Sequence, residues 1–131
     1  MLNASITEGY LKTADASVCH TKVIVMAMQH LLSSPLPKDP QYFQLLTKRL
    51  NVDLEKIIAN ITICDECLIA TFESLKLVSS DLARIKLTKE YAKIANANRF
   101  LETEYHSLKD KLSKFTVNSI STNKENAYVN F

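Results

Sequence analysis

The chain has 131 residues, of which 47% are hydrophobic and 23% are charged, and its formal net charge is +2. This length and apolar fraction suit one folded domain and exclude disorder throughout the chain. Acidic and basic residues are mixed, so the charge indicates neither a nucleic-acid-binding protein nor one held electrostatically at a membrane surface. One glycine and three prolines are too few for the turns of a sheet-rich fold, and we expect an all-α protein.

The N-terminal segment lacks the basic region and the apolar core of a signal peptide. The most apolar stretch, residues 23–32, is too short to span a bilayer, so we expect no membrane insertion. Three cysteines without a secretory signal are expected to be reduced thiols. These features predict a cytoplasmic protein, with a nuclear or kinetochore location as the alternative.

The first predicted helix covers residues 10–33, after a short lead at residues 1–9. Ser5 and Glu8 fit a capping box close to its start. Within the helix, apolar residues recur at alternating steps of three and four, as on one face of a helix. Three apolar residues fall outside that stripe: Val23, Ile24 and Met26. A helix that is apolar on more than one side should be contacted on more than one side.

A proline-rich linker follows the first helix. Pro35, Pro37 and Pro40 remove backbone donors and fix φ, which ends the helix. Asp39 before Pro40 is typical of an N-cap followed by proline at the first helical position. The second helix is predicted over residues 40–78.

Between Gln41 and Phe115 the chain contains neither glycine nor proline and carries two seams with the spacing of a coiled coil. The first seam comprises Leu54, Ile57, Ile61, Cys64, Leu68, Leu75, Val78, Leu82 and Ile85. The second comprises Leu87, Tyr91, Ile94, Asn98, Leu101, Tyr105, Leu108, Leu112 and Phe115. The seams are out of phase by about two residues, which a single insertion of about three or four residues in a continuous coiled coil would not produce.

A turn explains the phase difference, and Ser79-Ser80-Asp81 supplies residues that favour turns and N-caps. We therefore favour a helical hairpin, with a third helix over residues 80–115. The alternative is one continuous helix of about 75 residues. The prediction is a bundle of three long helices with coiled-coil seams in residues 10–115, followed by a flexible tail at residues 116–131, where poor helix formers accumulate.

Cys64 and Cys67 have the spacing of half a zinc or thiol-redox site, which Cys19 and His20 would have to complete. The pair falls in the middle of a helix rather than at a helix N-terminus after a strand, and Cys64 is itself a seam residue. Buried structural thiols are therefore the favoured interpretation. No motif predicts a catalytic site, and no cofactor is expected.

The second seam is the predicted partner-binding surface. Its members are Leu87, Tyr91, Ile94, Asn98, Leu101, Tyr105, Leu108 and Leu112. Asn98 is a polar residue at an a position, where it costs stability but can fix register, orientation and oligomer state. The alternative is that Asn98 lies at the open edge of a small bundle.

Two short motifs lie in the predicted tail. Lys124-Glu125-Asn126 matches the KEN degron that the mitotic ubiquitin ligase recognises. Tyr128-Val129-Asn130 has the form of a phosphotyrosine ligand for an adaptor domain. Both motifs are short enough to occur by chance, so an unrecognised polar tail is the favoured interpretation.

Two stretches of the predicted third helix, residues 101–108 (LETEYHSL) and residues 109–114 (KDKLSK), resemble a known coiled coil. It is the C-terminal coiled coil of the subunit 2 family of the lysosome-related organelle biogenesis complex 1. The resemblance covers at most residues 60–114 and implies a scaffold subunit in endosomal or lysosomal trafficking. Small helical subunits of kinetochore and spindle assemblies look similar, and the KEN tripeptide would suit them.

These features favour a non-enzymatic helical scaffold or adaptor subunit that assembles with other proteins through coiled-coil seams. The expected partners are other helical subunits, and a homodimer is the alternative. A small coiled-coil subunit of a kinetochore or spindle assembly is the second interpretation. A thiol-redox or zinc-binding helical protein, using Cys64 and Cys67, is the interpretation from a different class.

Overall fold

The computed structural model describes the backbone of residues 4–129 and the side chains of residues 4–114. Three α-helices make up this range: α1 (Ala4–Ser33), α2 (Pro40–Leu75) and α3 (Asp81–Val129). Each helix contacts the other two, and helices that follow one another in sequence run antiparallel. The prediction of an all-α bundle with a helical hairpin, rather than one continuous helix, is confirmed.

The start of α2 follows the linker signals. The Asp39 side chain accepts a hydrogen bond from the backbone N–H of Gln41 at 2.9 Å. Pro40 occupies the first helical position, where its missing N–H would have no partner within the helix. The predicted N-cap is therefore confirmed.

The turn between α2 and α3 separates the two seams. Ser80 caps α3, since its Oγ accepts a backbone N–H from the first turn at 3.3 Å. α2 ends at Leu75, earlier than predicted, and Val78 is buried within the turn. Leu82 and Ile85, predicted as the end of the first seam, are 83% and 55% exposed. Both residues belong to α3, and the buried positions of α3 do not continue the heptad spacing of α2 across the turn.

The core runs along the bundle axis, where one stripe of each helix faces the other two. Its buried apolar side chains are Leu11, Ala14, Val18, Val25 and Met28 of α1, Leu50, Leu54, Ile57, Ile61, Cys64, Leu68 and Leu75 of α2, Val78 of the turn, and Leu87, Ile94, Leu101, Leu108 and Leu112 of α3. Two buried threonines, Thr21 and Thr71, donate their hydroxyls to carbonyls one turn earlier, each at 2.7 Å. These polar groups are therefore buried with their hydrogen bonds made.

Two helix ends differ from the prediction. α1 begins at Ala4 rather than at residue 10, so Ser5 lies within the helix. α3 continues to Val129 rather than ending at Phe115, because no glycine or proline follows Pro40 to stop it. The predicted tail thus has a helical backbone as far as Val129. Its side chains, including both short motifs, lie outside the described residues.

Candidate interaction surface

The seam predicted to bind a partner lies inside the bundle. Six of its eight side chains are buried by the chain itself: Leu87, Ile94, Asn98, Leu101, Leu108 and Leu112. Tyr91 and Tyr105 are partly buried against the same core. The expectation that this seam faces another protein is therefore corrected, because α1 and α2 already cover it. Any partner of the bundle must contact its outer surface.

The side chain of Asn98 links α3 to α2 by a hydrogen bond. Its Nδ2 donates to Asp65 Oδ1 at 2.8 Å and lies 3.4 Å from the carbonyl oxygen of Ile61. The side chain is 3% exposed, and its Oδ1 accepts no hydrogen bond. The amide thus pairs α3 with α2 in one register, and the orphan oxygen costs stability. The first interpretation of Asn98, a register-fixing polar residue, fits this geometry within one chain.

The four candidate metal or redox residues do not form a site. Burial above all, and after it the nearby Asp65, Cys67 and Asp15, raise the pKa of the Cys64 thiol to about 12. Burial, with Glu66, also raises the pKa of Cys67. A pKa of about 12 keeps the Cys64 thiol protonated at neutral pH, whereas a redox nucleophile must be a thiolate.

The other two candidates are placed differently. Cys19 is exposed, and His20 Nδ1 lies 3.3 Å from the Asn60 Nδ2 of α2. Within the described residues, no group of three or more His, Cys, Asp or Glu side chains could hold a metal ion. The structure thus places Cys64 in the core and Cys67 against it, and leaves Cys19 on the surface.

α1 carries all its charge on one side. Its only charged residues are Glu8, Lys12, Asp15 and Lys22. All four line a groove between α1 and α3, opposite Lys86, Glu90 and Lys93. The remaining surface of α1 therefore carries no formal charge when its histidines are neutral.

An uncharged surface lies on the opposite side, between α1 and α2. The α1 row comprises Ile6, Tyr10, Thr13, Ser17, His20, Ile24, Ala27 and Leu31. The α2 row comprises Asn60, Ile63, Cys67, Ala70 and Ser74 of α2, followed by Leu77 of the turn. Two hydrogen bonds place the rows side by side: Thr7 Oγ1 to Ser74 Oγ at 2.8 Å, and the His20–Asn60 contact. We call these two rows the uncharged face.

The uncharged face is most apolar at the end of the bundle that holds the α2–α3 turn. Ile6, Tyr10 and Leu77 line a groove of about 490 Å³ there. Ile6 is 45% exposed and Leu77 is 57% exposed. Glu73 and Lys76 stand at the rim and pair with each other at 3.4 Å, so the rim adds no net charge.

One residue of the uncharged face, Ile24, belongs to a group that the sequence already indicated. Val23, Ile24 and Met26 fell outside the α1 stripe, which indicated a second contact surface on that helix. The structure leaves Val23 and Met26 exposed and partly buries Ile24. The α2 row was missed. In the sequence, this row is a series of uncharged residues at steps of three and four. The series indicates an outer surface only when it is known which side of α2 faces the core.

Fold and surface define the class of this protein: a small, three-helix, all-α bundle with a closed core and one uncharged outer face. No protein-family model, curated protein sequence or solved structure matches the chain. Among the described residues, no helix has the length and apolar character needed to cross a membrane.

Proposed function

We propose that the protein is a non-enzymatic helical scaffold or adaptor subunit that binds other helical proteins through the uncharged face. The observation that carries the proposal is the one-sided charge of α1, whose four charged residues all face α3. A solvent-exposed helix surface is normally covered with charged and polar side chains. An exposed helix that keeps one side uncharged and partly apolar is typical of a contact surface.

The exposed apolar side chains on this face support the proposal. Ile6, Ile63 and Leu77 are each more than two-fifths exposed although the core beneath them is complete. Burying one such side chain contributes about 1.5–3 kcal/mol when it leaves water completely. A partner that covers the face therefore gains favourable free energy without unfolding the bundle.

Two narrower interpretations rest on other grounds. Endosomal or lysosomal trafficking follows only from the resemblance of residues 60–114 and stays a prediction. A kinetochore or spindle role follows from general appearance and the KEN tripeptide, and it also stays a prediction. The thiol-redox interpretation is disfavoured, because the raised pKa of Cys64 and Cys67 opposes thiolate chemistry.

A matched pair of variants tests the proposed function. Leu77→Glu places a carboxylate on the uncharged face, and Ile85→Glu places one on α3 outside both rows. The two side chains are similarly exposed, at 57% and 55%, so neither change should unfold the bundle. Affinity purification of the full chain from its native source should recover helical partners with the wild type and with Ile85→Glu, but not with Leu77→Glu.

A folding control separates loss of the binding surface from misfolding of the variant. Circular dichroism of both variants should show wild-type helix content. If Leu77→Glu retains every partner of the wild type, the uncharged face is not the binding surface and the proposal fails.

A further inference from the structure

We propose that Ser34 is a phosphorylation site for a protein kinase that requires proline directly after its target serine. The inference is independent of the proposed function, because it concerns the linker between α1 and α2 and not the uncharged face. Three observations carry it: the sequence at Ser34, the backbone of the linker, and an arginine of α2 that has no acidic partner.

The sequence at Ser34 meets the requirement of such a kinase. Ser34 is the only serine or threonine of the chain that is followed by proline. Proline has no backbone N–H. A kinase cleft without a hydrogen-bond acceptor at this position therefore accepts Pro35, whereas another residue there would bury an N–H without a partner.

The linker presents Ser34 in a form that an enzyme can bind. Residues 34–39 belong to no helix, and Pro35 disfavours the helical conformation at the residue before it. Ser34 is partly exposed, and Pro35 and Leu36 after it are exposed. The Ser34 hydroxyl donates to the carbonyl oxygen of His30 at 2.9 Å, in a hydrogen bond that is open to solvent. The segment can therefore enter a kinase cleft without the unfolding of a helix.

Arg49 of α2 is the expected partner of the phosphate. It lines the same groove as Ser34, at the end of the bundle that holds the proline linker. Arg49 is exposed, and among the residues whose side chains are described no carboxylate forms an ion pair with it. The other charged residues of the linker, Lys38 and Asp39, cancel in formal charge. A guanidinium can hold a phosphate by two parallel hydrogen bonds, so the groove offers a charge that the phosphate would complement.

The modification is a phosphoryl transfer from ATP. Ser34 Oγ forms a bond to the γ-phosphorus, the bond from that phosphorus to the β–γ bridging oxygen breaks, and ADP leaves. The hydroxyl proton passes to the catalytic aspartate of the kinase. The product no longer donates to the His30 carbonyl, and its charge of about −1.5 to −2 lies near the negative end of the α1 dipole. Arg49 offsets this repulsion and links the end of α1 to α2.

Phosphopeptide mass spectrometry tests the site. The full chain, purified from its native source with phosphatases inhibited, should carry phosphate on Ser34. In vitro, with ATP and a proline-directed kinase, Ser34→Ala and Pro35→Ala should each abolish incorporation into the full chain. Ser79→Ala is the control, because Ser79 is an exposed serine outside the helices that is not followed by proline. Native protein without phosphate on Ser34, or incorporation that survives Pro35→Ala, overturns the proposal.

Phosphorus NMR tests the contact with Arg49. The last ionisation of a phosphoserine has a pKa of about 6, and a neighbouring positive charge lowers it. The titration midpoint of phosphorylated Ser34 should therefore lie below about 6 in the wild type and return toward that value in Arg49→Gln. Lys48→Gln is the matched control, because Lys48 is exposed and does not line the groove. Equal midpoints in the wild type and Arg49→Gln, or an equal effect of Lys48→Gln, overturn the assignment of Arg49.

Discussion

The two outer sides of α1 cover the same core with different chemistry. Toward α3, lysines and acidic residues line an open groove. Toward α2, the helix presents no charge at all. Since both sides border equally buried residues such as Leu11 and Val18, core packing does not explain the difference. The contrast is what the proposed binding surface between α1 and α2 would produce.

The charged groove lies between α1 and α3 and is open to solvent. Gln29 Nε2 donates to Glu104 Oε2 at 2.6 Å, which shows that α1 and α3 run parallel with an offset of 75 residues. Charges of both signs line the groove on each of the two helices. Among the described residues, no ion pair joins α1 to α3.

The largest expected change in stability comes from a substitution on the buried side of α1, compared with the same substitution on an exposed side. Met28 is fully buried, whereas Met26, two positions earlier, is 68% exposed. Met28→Ala leaves a cavity and should lower the free energy of unfolding by about 2–5 kcal/mol. Met26→Ala should change it by less than about 0.5 kcal/mol. Urea unfolding of both variants measures the difference, and equal losses would contradict the described core.

The next effect concerns the thiols beside the uncharged face. Because the pKa of Cys64 rises from 9.0 to about 12 on folding, the protonated thiol contributes stability below pH 9. That contribution is lost as pH rises from about 9 through about 12, since the unfolded chain then releases the proton first. Cys64→Ala should flatten this part of the pH–stability profile. An unchanged slope in the variant would assign the loss to other groups.

The same burial predicts different labelling rates. At mildly alkaline pH, Cys19 should react with iodoacetamide much faster than Cys64, because Cys19 is exposed and Cys64 is buried and protonated. Peptide mass spectrometry of a labelling time course measures both rates. Comparable rates would show that α1 and α2 separate readily and expose the core.

A smaller effect tests the outer surface of α1 directly. Gly9 has a helical backbone, and an added Cβ would meet nothing within 4 Å. Gly9→Ala should therefore raise the free energy of unfolding by about 0.5–1 kcal/mol, since glycine is the poorer helix former. Thermal unfolding at low protein concentration measures the gain. A loss of stability would mean that the position is occupied by a group outside the described contacts.

The smallest effect belongs to the charged groove. Lys86→Glu would bring a carboxylate into the groove that also holds Lys12, but it would place that carboxylate one helical turn from Glu90. Because these positions are solvent-exposed and the two effects oppose each other, the net change should stay within about 1 kcal/mol and should shrink at high salt. Stability measured at two salt concentrations checks this. A large or salt-independent change would show that the groove is less open to water than described.

The limits of prediction from this sequence follow from what each signal encodes. Asp39, Pro40 and Ser80 act on their own neighbours, so the linker and the turn were predictable. The end of α3 was not, because nothing in residues 116–129 stops a helix. Heptad spacing shows that a seam needs a partner, but not whether the partner is in the same chain, and so the second seam was assigned outward. The sequence shows that one side of α1 is uncharged, but only the positions of α2 and α3 show which helix lies beside each side.

The phase-resetting turn has a consequence for how such a chain tolerates change in length. A residue inserted within α2 or α3 rotates every later side chain of that helix by about 100° and moves the seam out of the core. An insertion between Leu75 and Asp81 leaves the helical residues of both seams in register and displaces only Val78 among the core residues, and loop length itself costs little. Length variation among relatives should therefore concentrate in this turn and in the proline linker, while the helices keep their residue count.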